Sequence, residues 1–347
     1  MDLAAARSLF EPEPGWLNTA SYGLPPSTAW DALQAAQDEW RHGRVSWEVW
    51  GVSTGQARAA FARLVGVAET DVTTGAQVSQ LVGQLAASVP DGTVVLAPEE
   101  DFTSLLFPWL AQAHRGVVVR TVPAAQLAER VTPDVDVVAF SVVQSASGAI
   151  ADVDGVLAAA RAAGAVTVAD ATQAVGWLPV DASRFDALVA GGYKWQLSPR
   201  GTAFLVTTAE LRSWVVPSQA GWWAGDDPYA AYYGPPLRLA SDARRLDLSP
   251  AWFSWVGAAP ALELLEAVTV ETVHDWNVGL ANRFRAGLGL PPGDSAIVSV
   301  DVAGAQERLE AAGVRAAVRG GRLRVSFHLY STEADVDLAV GALTRRG

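Results

Sequence analysis

The middle of the chain alternates between short, uninterrupted apolar runs and longer stretches rich in alanine and leucine. Val94–Ala97, Val117–Arg120, Val135–Val143, Val166–Ala169, Ala187–Ala190 and Ala203–Val206 read as strands, and stretches such as Val153–Ala163 between them read as helices. Strands that are apolar at nearly every position, rather than at every second one, are buried on both faces. The pattern therefore predicts an α/β fold with a mostly parallel sheet covered by helices. Ligands of such sheets bind beyond the carboxyl ends of the strands. From Ser218 to Pro250 the composition shifts to Gly, Pro, Trp and Tyr, including Gly221-Trp222-Trp223-Ala224-Gly225. This segment reads as long ordered loops over a site or a subunit interface. Two helical stretches follow, Val256–Ala267 and Val270–Leu288, until Pro291-Pro292-Gly293 breaks the pattern. A smaller α+β unit comes last: strand Ala296–Val302, helix Ala305–Ala312, strand Arg322–Phe327 and a helix from Thr332. Thr332 with Asp335 three residues on has the spacing of a capping box. The expected organisation is an N-terminal segment (1–17) packing with the small domain, a large domain (18–255) and a small C-terminal domain (256–347).

Composition narrows the chemistry. A chain of 347 residues, half of them hydrophobic, is long enough for more than one core. No run of eighteen apolar residues escapes charge or helix breakers, and the first residues carry no basic stretch. A membrane span and a secretory signal are therefore not expected, and the cytoplasm is the expected compartment. A net charge of −12 without a basic run argues against nucleic acid or an anionic membrane as partner. The absence of cysteine excludes disulfides, thiolate metal sites and a cysteine nucleophile. The four histidines (His42, His114, His274, His328) are scattered without metal-ligand spacing, so no metal is expected.

One count changes the picture more than the rest: 24 of the 25 basic residues are arginine, and Lys194 is the single lysine. The two residues exchange readily as solvated charges. Only the amine can lose its proton and attack a carbonyl. Lys194 follows the apolar run Ala187–Ala190 and Gly191-Gly192; Asp170 ends the run Val166–Ala169. Strand-end Asp and Lys on neighbouring strands can face one crevice. A pyridoxal cofactor needs such a pair: an amine to hold its aldehyde carbon as a Schiff base, and a carboxylate to keep its pyridine nitrogen protonated. Read alone, Asp170 is equally a turn or helix-capping residue, and Lys194 its salt-bridge partner.

The runs around these two residues, Val168-Ala169-Asp170-Ala171-Thr172-Gln173-Ala174-Val175-Gly176 and Gly191-Gly192-Tyr193-Lys194-Trp195-Gln196-Leu197-Ser198-Pro199-Arg200-Gly201-Thr202, resemble the class V aminotransferase family. That family includes cysteine desulfurases, kynureninases and isopenicillin N epimerase-like proteins. Asn18-Thr19-Ala20-Ser21-Tyr22-Gly23, Thr73-Thr74-Gly75-Ala76-Gln77, Glu100-Asp101-Phe102-Thr103-Ser104 with Pro108-Trp109, and Arg324-Val325-Ser326-Phe327-His328-Leu329-Tyr330 extend the likeness over most of the chain in the family's order. The resemblance implies an aspartate-aminotransferase-type fold and a pyridoxal 5'-phosphate cofactor. It also implies an amino-acid substrate and a homodimer with active sites at the interface. By position it implies that Gly75, Ala76 and Gln77 hold the phosphate at a helix start. Phe102 would stack on the ring, and Gln173 would bond the phenolic oxygen. Gln144 and Ser147 would approach the ring from one loop. Arg324 would grip the substrate carboxylate with two parallel bonds.

Two departures bear on function. Gly191 and Tyr193 stand where the family usually has a hydroxyl residue and a histidine. One phosphate contact is then lost or comes from a hydroxyl elsewhere, with Ser249 and Thr202 across a subunit interface as candidates. Without cysteine, the persulfide chemistry of cysteine desulfurases is closed to this chain. The expected activity is that of an aminotransferase, with a β-eliminating carbon–sulfur lyase or an epimerase as alternatives.

Overall fold

The computed structural model describes residues 1–344. Among the described residues, ten strands form two sheets. In chain order the first seven are β1 (Val72–Gly75), β2 (Val94–Pro98), β3 (Val118–Val122), β4 (Val137–Ser141), β5 (Val166–Asp170), β6 (Ala187–Gly191) and β7 (Ala203–Thr207). They make one sheet in the order β1-β7-β6-β5-β4-β2-β3. Pairs from β3 through β6 are parallel, while β7 runs antiparallel to both β6 and β1. The sheet is thus mostly parallel, as its pattern predicts. β8 (Ile297–Val300), β9 (Ala317–Arg319) and β10 (Arg322–Ser326) form the small antiparallel sheet in the order β8-β10-β9. The eleven helices are α1 (Leu3–Arg7), α2 (Ser27–His42), α3 (Trp47–Leu64), α4 (Val78–Ala86), α5 (Thr103–Leu110), α6 (Val153–Ala163), α7 (Ala209–Trp214), α8 (Trp252–Val268), α9 (Val270–Gly287), α10 (Ala305–Ala311) and α11 (Glu333–Thr344).

The continuous apolar strands have their explanation in two cores on opposite faces of the large sheet. Leu188 and Ala190 of β6 and Phe204 and Val206 of β7 belong to one cluster; Ala187, Val189, Ala203 and Leu205 belong to the other. The first is closed by α3, α6 and α8, with Phe61 stacked on Phe204 at 4.1 Å between ring centroids. The second is closed by α4 and α5. Among the strand residues, alternation survives as a choice between two apolar faces rather than between core and solvent.

The small domain has its own cluster, built from Leu280 and Phe284 of α9, Val298, Val325, Phe327 and Val336. The expected boundary at residue 256 falls inside α8, whose Trp255, Leu262 and Leu265 lie in the large core. α9 spans both, with Val273 in the large cluster and Phe284 in the small one. The N-terminal segment is likewise divided. Ala6 and Phe10 join the large core, while Leu17 joins the small one, and residues 16 and 18 bridge in parallel to Arg315 and Ser326. The capping box at Thr332 is present: Thr332 N donates to Asp335 Oδ2 at 2.8 Å and Asp335 N to Thr332 Oγ1 at 3.1 Å. The Trp- and Tyr-rich loop packs on α3 and α8, where Trp47 contacts Trp222, Tyr229 and Trp252. No single described helix is long and apolar enough to cross a membrane.

Candidate active site

Sheet register brings the candidate residues together. Ser141 of β4 pairs with Asp170 of β5, and Asp170 with Val189 of β6. Gly191 pairs with Ala203, which pairs with Gly75. Because β1, β4, β5 and β6 point the same way, their last residues share one edge of the sheet. A cleft opens there, walled by Ala76, Gln77, Phe102, Asp170, Tyr193 and Lys194.

Asp170 is buried, and its Oδ1 accepts from Thr172 N at 2.8 Å. Burial pushes its carboxyl above the ordinary range, against the pull of that hydrogen bond and of Lys194. Lys194 is 6% exposed. Burial lowers its amine to about 8; Asp170 opposes that shift, and Arg324, Arg319 and Arg200 add to it. Its backbone is gripped from two sides. Gly23 N donates to Tyr193 O at 3.0 Å, and a Cβ at position 23 would come within 2.1 Å of Lys194 O. Gly176, at φ +113°, approaches the Trp195 carbonyl so closely that a Cβ would meet it at 2.3 Å. Both glycines stand in motifs quoted above, and close approach is what requires them. Leu197, buried with φ 56°, closes the turn in a region that L side chains rarely adopt.

Phe102 sits at the start of α5, half exposed, with its ring centroid 5.4 Å from Lys194 Nζ. Ala76 and Gln77 precede α4, whose first N–H groups lack acceptors within the helix. Behind them a buried ion pair braces β1: Arg58 Nη1 lies 3.2 Å from Asp247 Oδ1, which also accepts from Thr74 N at 2.8 Å. Gly75 ends β1 just behind this wall. Thr202 Oγ1 donates to Pro199 O within its own chain at 2.9 Å.

Ser147 is a correction. It lies at the exposed tip of the tight hairpin 144–149, where its Oγ accepts from Ala149 N at 3.2 Å, away from the cleft. Ser145, two residues earlier, lines the cleft and bonds both Gln173 and Arg324. Gln144 turns to Asp101, whose carboxyl burial raises to about 6. Gln173 is held on every side: Nε2 donates to Ala20 O at 3.1 Å and Ser145 Oγ at 2.9 Å, and Oε1 accepts from Trp195 Nε1 at 2.7 Å. Arg324 is buried, donating through Nη1 to Ser145 and through Nη2 to Ser21 Oγ at 3.0 Å; its Nε has no partner. His328 joins the same web. Its Nδ1 accepts from Leu329 N at 2.7 Å, so Nε2 carries the proton given to Trp195 O at 2.9 Å, and burial lowers the ring to about 4. Ser21, Thr172 and Tyr193 stand inside the quoted motifs but have no assigned role from sequence. Arg200, which also lines the cleft, stands in the same quoted run as Lys194 and likewise has no assigned role.

The sequence profile of the aminotransferase class-V family matches residues 51–301. The chain belongs to this family. Among its relatives is the uncharacterized aminotransferase YcbU of Bacillus subtilis, 24% identical over 340 residues, covering 91% of this chain and 90% of that protein. Isopenicillin N epimerase of Streptomyces clavuligerus is 27% identical over 399 residues, covering 98% and 96%. A solved C-DES variant, with glycine covalently linked to its pyridoxal-phosphate cofactor, shares the fold at a TM-score of 0.88, 19% identity and full coverage of both chains. Class-V aminotransferases are pyridoxal-phosphate enzymes, and the residues here fit that group. A buried carboxylate whose charged form is disfavoured gains from a cationic ring nitrogen beside it. A buried amine lowered to about 8 is primed to hold an aldehyde. The start of α4 offers unpaired N–H groups to a phosphate. Pyridoxal phosphate is the cofactor of this class-V member.

The lowered amine gives a pH prediction. An amine captures an aldehyde only when neutral, and the neutral fraction of Lys194 grows as pH rises through about 8. Stopped-flow absorbance of cofactor-free protein mixed with pyridoxal phosphate should show a rate that climbs from pH 6 and levels above about 8. A rate still climbing at pH 10 would mean an ordinary, solvated lysine.

Proposed function

We propose that the protein is a pyridoxal-phosphate enzyme acting on an α-amino acid, with Lys194 and Asp170 as its catalytic residues and transamination as its reaction. The observation that carries this reading is the pairing of one buried amine with one buried carboxylate at adjacent strand ends, within Coulombic reach of a buried arginine. When bound, pyridoxal phosphate captures the substrate amine and accepts the electron pair of a bond broken at the α-carbon. Asp170 keeps positive charge at the ring nitrogen. Gly75, Ala76 and Gln77 cradle the phosphate, and Phe102 covers the ring. Gln173, fixed by Trp195 and Ser145, approaches the ring oxygen. Lys194, near neutral at physiological pH, takes the proton from the α-carbon and delivers it elsewhere. Transamination needs no further acid–base group, which places it first.

Elimination has one observation in its favour. Tyr193 lines the cleft, and burial raises its phenol, which therefore keeps a proton to give a departing side-chain group. Mass spectrometry of products from an amino-acid panel separates the chemistries. A keto acid with aminated cofactor means transamination, inverted substrate means epimerisation, and pyruvate with ammonia means elimination. Turnover of no amino acid would sink the reading. The reading extends to a homodimer, for which Tyr233 and Leu237, 89% and 77% exposed on the aromatic loop, are the supporting observation.

Arg324 is the proposed carboxylate anchor. Its Nη1 is engaged by Ser145 and its Nη2 by Ser21, while its buried Nε has no hydrogen-bond partner among the described residues. A charge-assisted bidentate contact of this kind is worth about 1.5–3 kcal/mol. Arg324→Ala should therefore raise the apparent constant for α-amino acids by roughly ten- to hundredfold. Arg324→Lys should recover part of this, since an ammonium cannot make two parallel bonds. Steady-state kinetics and the cofactor spectrum, read together, check it. Unchanged binding would place the anchor elsewhere, and loss of cofactor would make Arg324 structural.

A further inference from the structure

Two guanidinium groups meet beside the cleft with no carboxylate between them. Ser21 Oγ accepts from Nη2 of Arg324 at 3.0 Å and from Nη2 of Arg319 at 3.4 Å. The hydroxyl's own proton goes to Asn18 Oδ1 at 2.7 Å, so Ser21 offers lone pairs to both cations and nothing more. Among the described residues neither arginine has an ion-pair partner. This chain carries 37 acidic residues against 25 basic ones, so acids were not scarce. Like charges held this close repel. Arg319 contributes to that repulsion: with burial as the larger cause, it lowers Arg324 to about 10. A folded chain keeps such a pair where an anion from outside completes it.

The arrangement is built rather than accidental in its backbone. Arg319 ends β9 and pairs with Arg322 of β10 across the turn Gly320–Gly321, and Arg324 lies two residues further along β10. In the proposed arrangement the cofactor phosphate does not occupy this place. It would sit at the start of α4, beyond β1, whereas Ser21, Arg319 and Arg324 come from the N-terminal segment and the small sheet. One anion is accounted for by the proposed function, the α-carboxylate on Arg324. Arg319 has none.

We infer that the substrate is an α-amino acid bearing a second acidic group, with Arg319 holding that group while Arg324 holds the α-carboxylate. The inference rests on the amino-acid reading above and names the substrate class within it. Arg319 is a specificity residue and is exposed, so its replacement leaves the fold intact.

Matched acid and amide pairs test it. Aspartate with asparagine, glutamate with glutamine, and S-carboxymethylcysteine with S-carbamoylmethylcysteine differ in charge and hardly in shape. Each is titrated into the holoenzyme and followed by the change in cofactor absorbance. In at least one pair the acid should bind about tenfold more tightly than its amide. Arg319→Gln should bring that ratio close to one, and Arg319→Lys should restore part of it. Equal binding of acid and amide in every pair, or a ratio that survives Arg319→Gln, overturns the second-anion assignment and leaves the amino-acid reading standing. Binding by no amino acid at all overturns both.

Discussion

Lys194→Ala should abolish turnover, by at least about a thousandfold, while the protein still folds. A positioned general base alone contributes about 10²- to 10⁴-fold, and in the proposed function the same amine also holds the cofactor. The fold should survive because the change removes a buried cation whose charged form burial already disfavours. Since no other lysine exists, borohydride treatment of the wild type should fix the cofactor's mass on the one peptide containing Lys194. The variant should take up no such label, and a small exogenous amine should restore a fraction of the rate. Label on any other peptide, or a variant retaining more than a few per cent of activity, would contradict the assignment.

The second large effect is expected at Asp170. An Asp170→Asn change would keep an oxygen in the place where Oδ1 accepts from Thr172 N, so the loop after β5 is preserved and only the charge is lost. Removing one preorganised electrostatic partner of a developing charge typically costs about 10²- to 10³-fold. The variant should lose turnover on that scale yet still attach the cofactor to Lys194. Near-normal activity would reduce Asp170 to a turn residue, the other fate its sequence context allows.

Much of this site is legible in the sequence, for reasons that differ by residue. Lys194 stands out because guanidinium and amine differ in chemistry, not because of its neighbours. Asp170 is visible because apolar runs mark strands and their carboxyl ends mark ligand edges. The errors lie where local pattern carries no information. Ser147 and Ser145 share a loop and differ only in the fold of the hairpin 144–149, which is set by backbone bonds from Gln144 to Ala149 and Gly148. β9 is three residues long, with one partner strand, too short for any periodicity to register. The expected boundary at residue 256 divides α8, because α8 and α9 both read as apolar helices and only tertiary packing puts Leu262 and Leu265 in one core and Phe284 in another. Arg319 has no signal at all, being one arginine among 24 until the hairpin carries it to Ser21.

The buried web that links His328, Trp195, Gln173, Ser145 and Arg324 has a thermodynamic meaning. It runs from the end of the small sheet through the residue after Lys194 and back to the small sheet. Undocking the small domain would part His328 Nε2 from the Trp195 carbonyl and Arg324 Nη1 from Ser145, bonds that contribute about 0.5–3 kcal/mol each. The two domains should therefore melt as one cooperative unit, seen as a single calorimetric transition. By linkage, any ligand gripped at Arg324 tightens the seat of Lys194, and a well-seated lysine favours capture of that ligand in return.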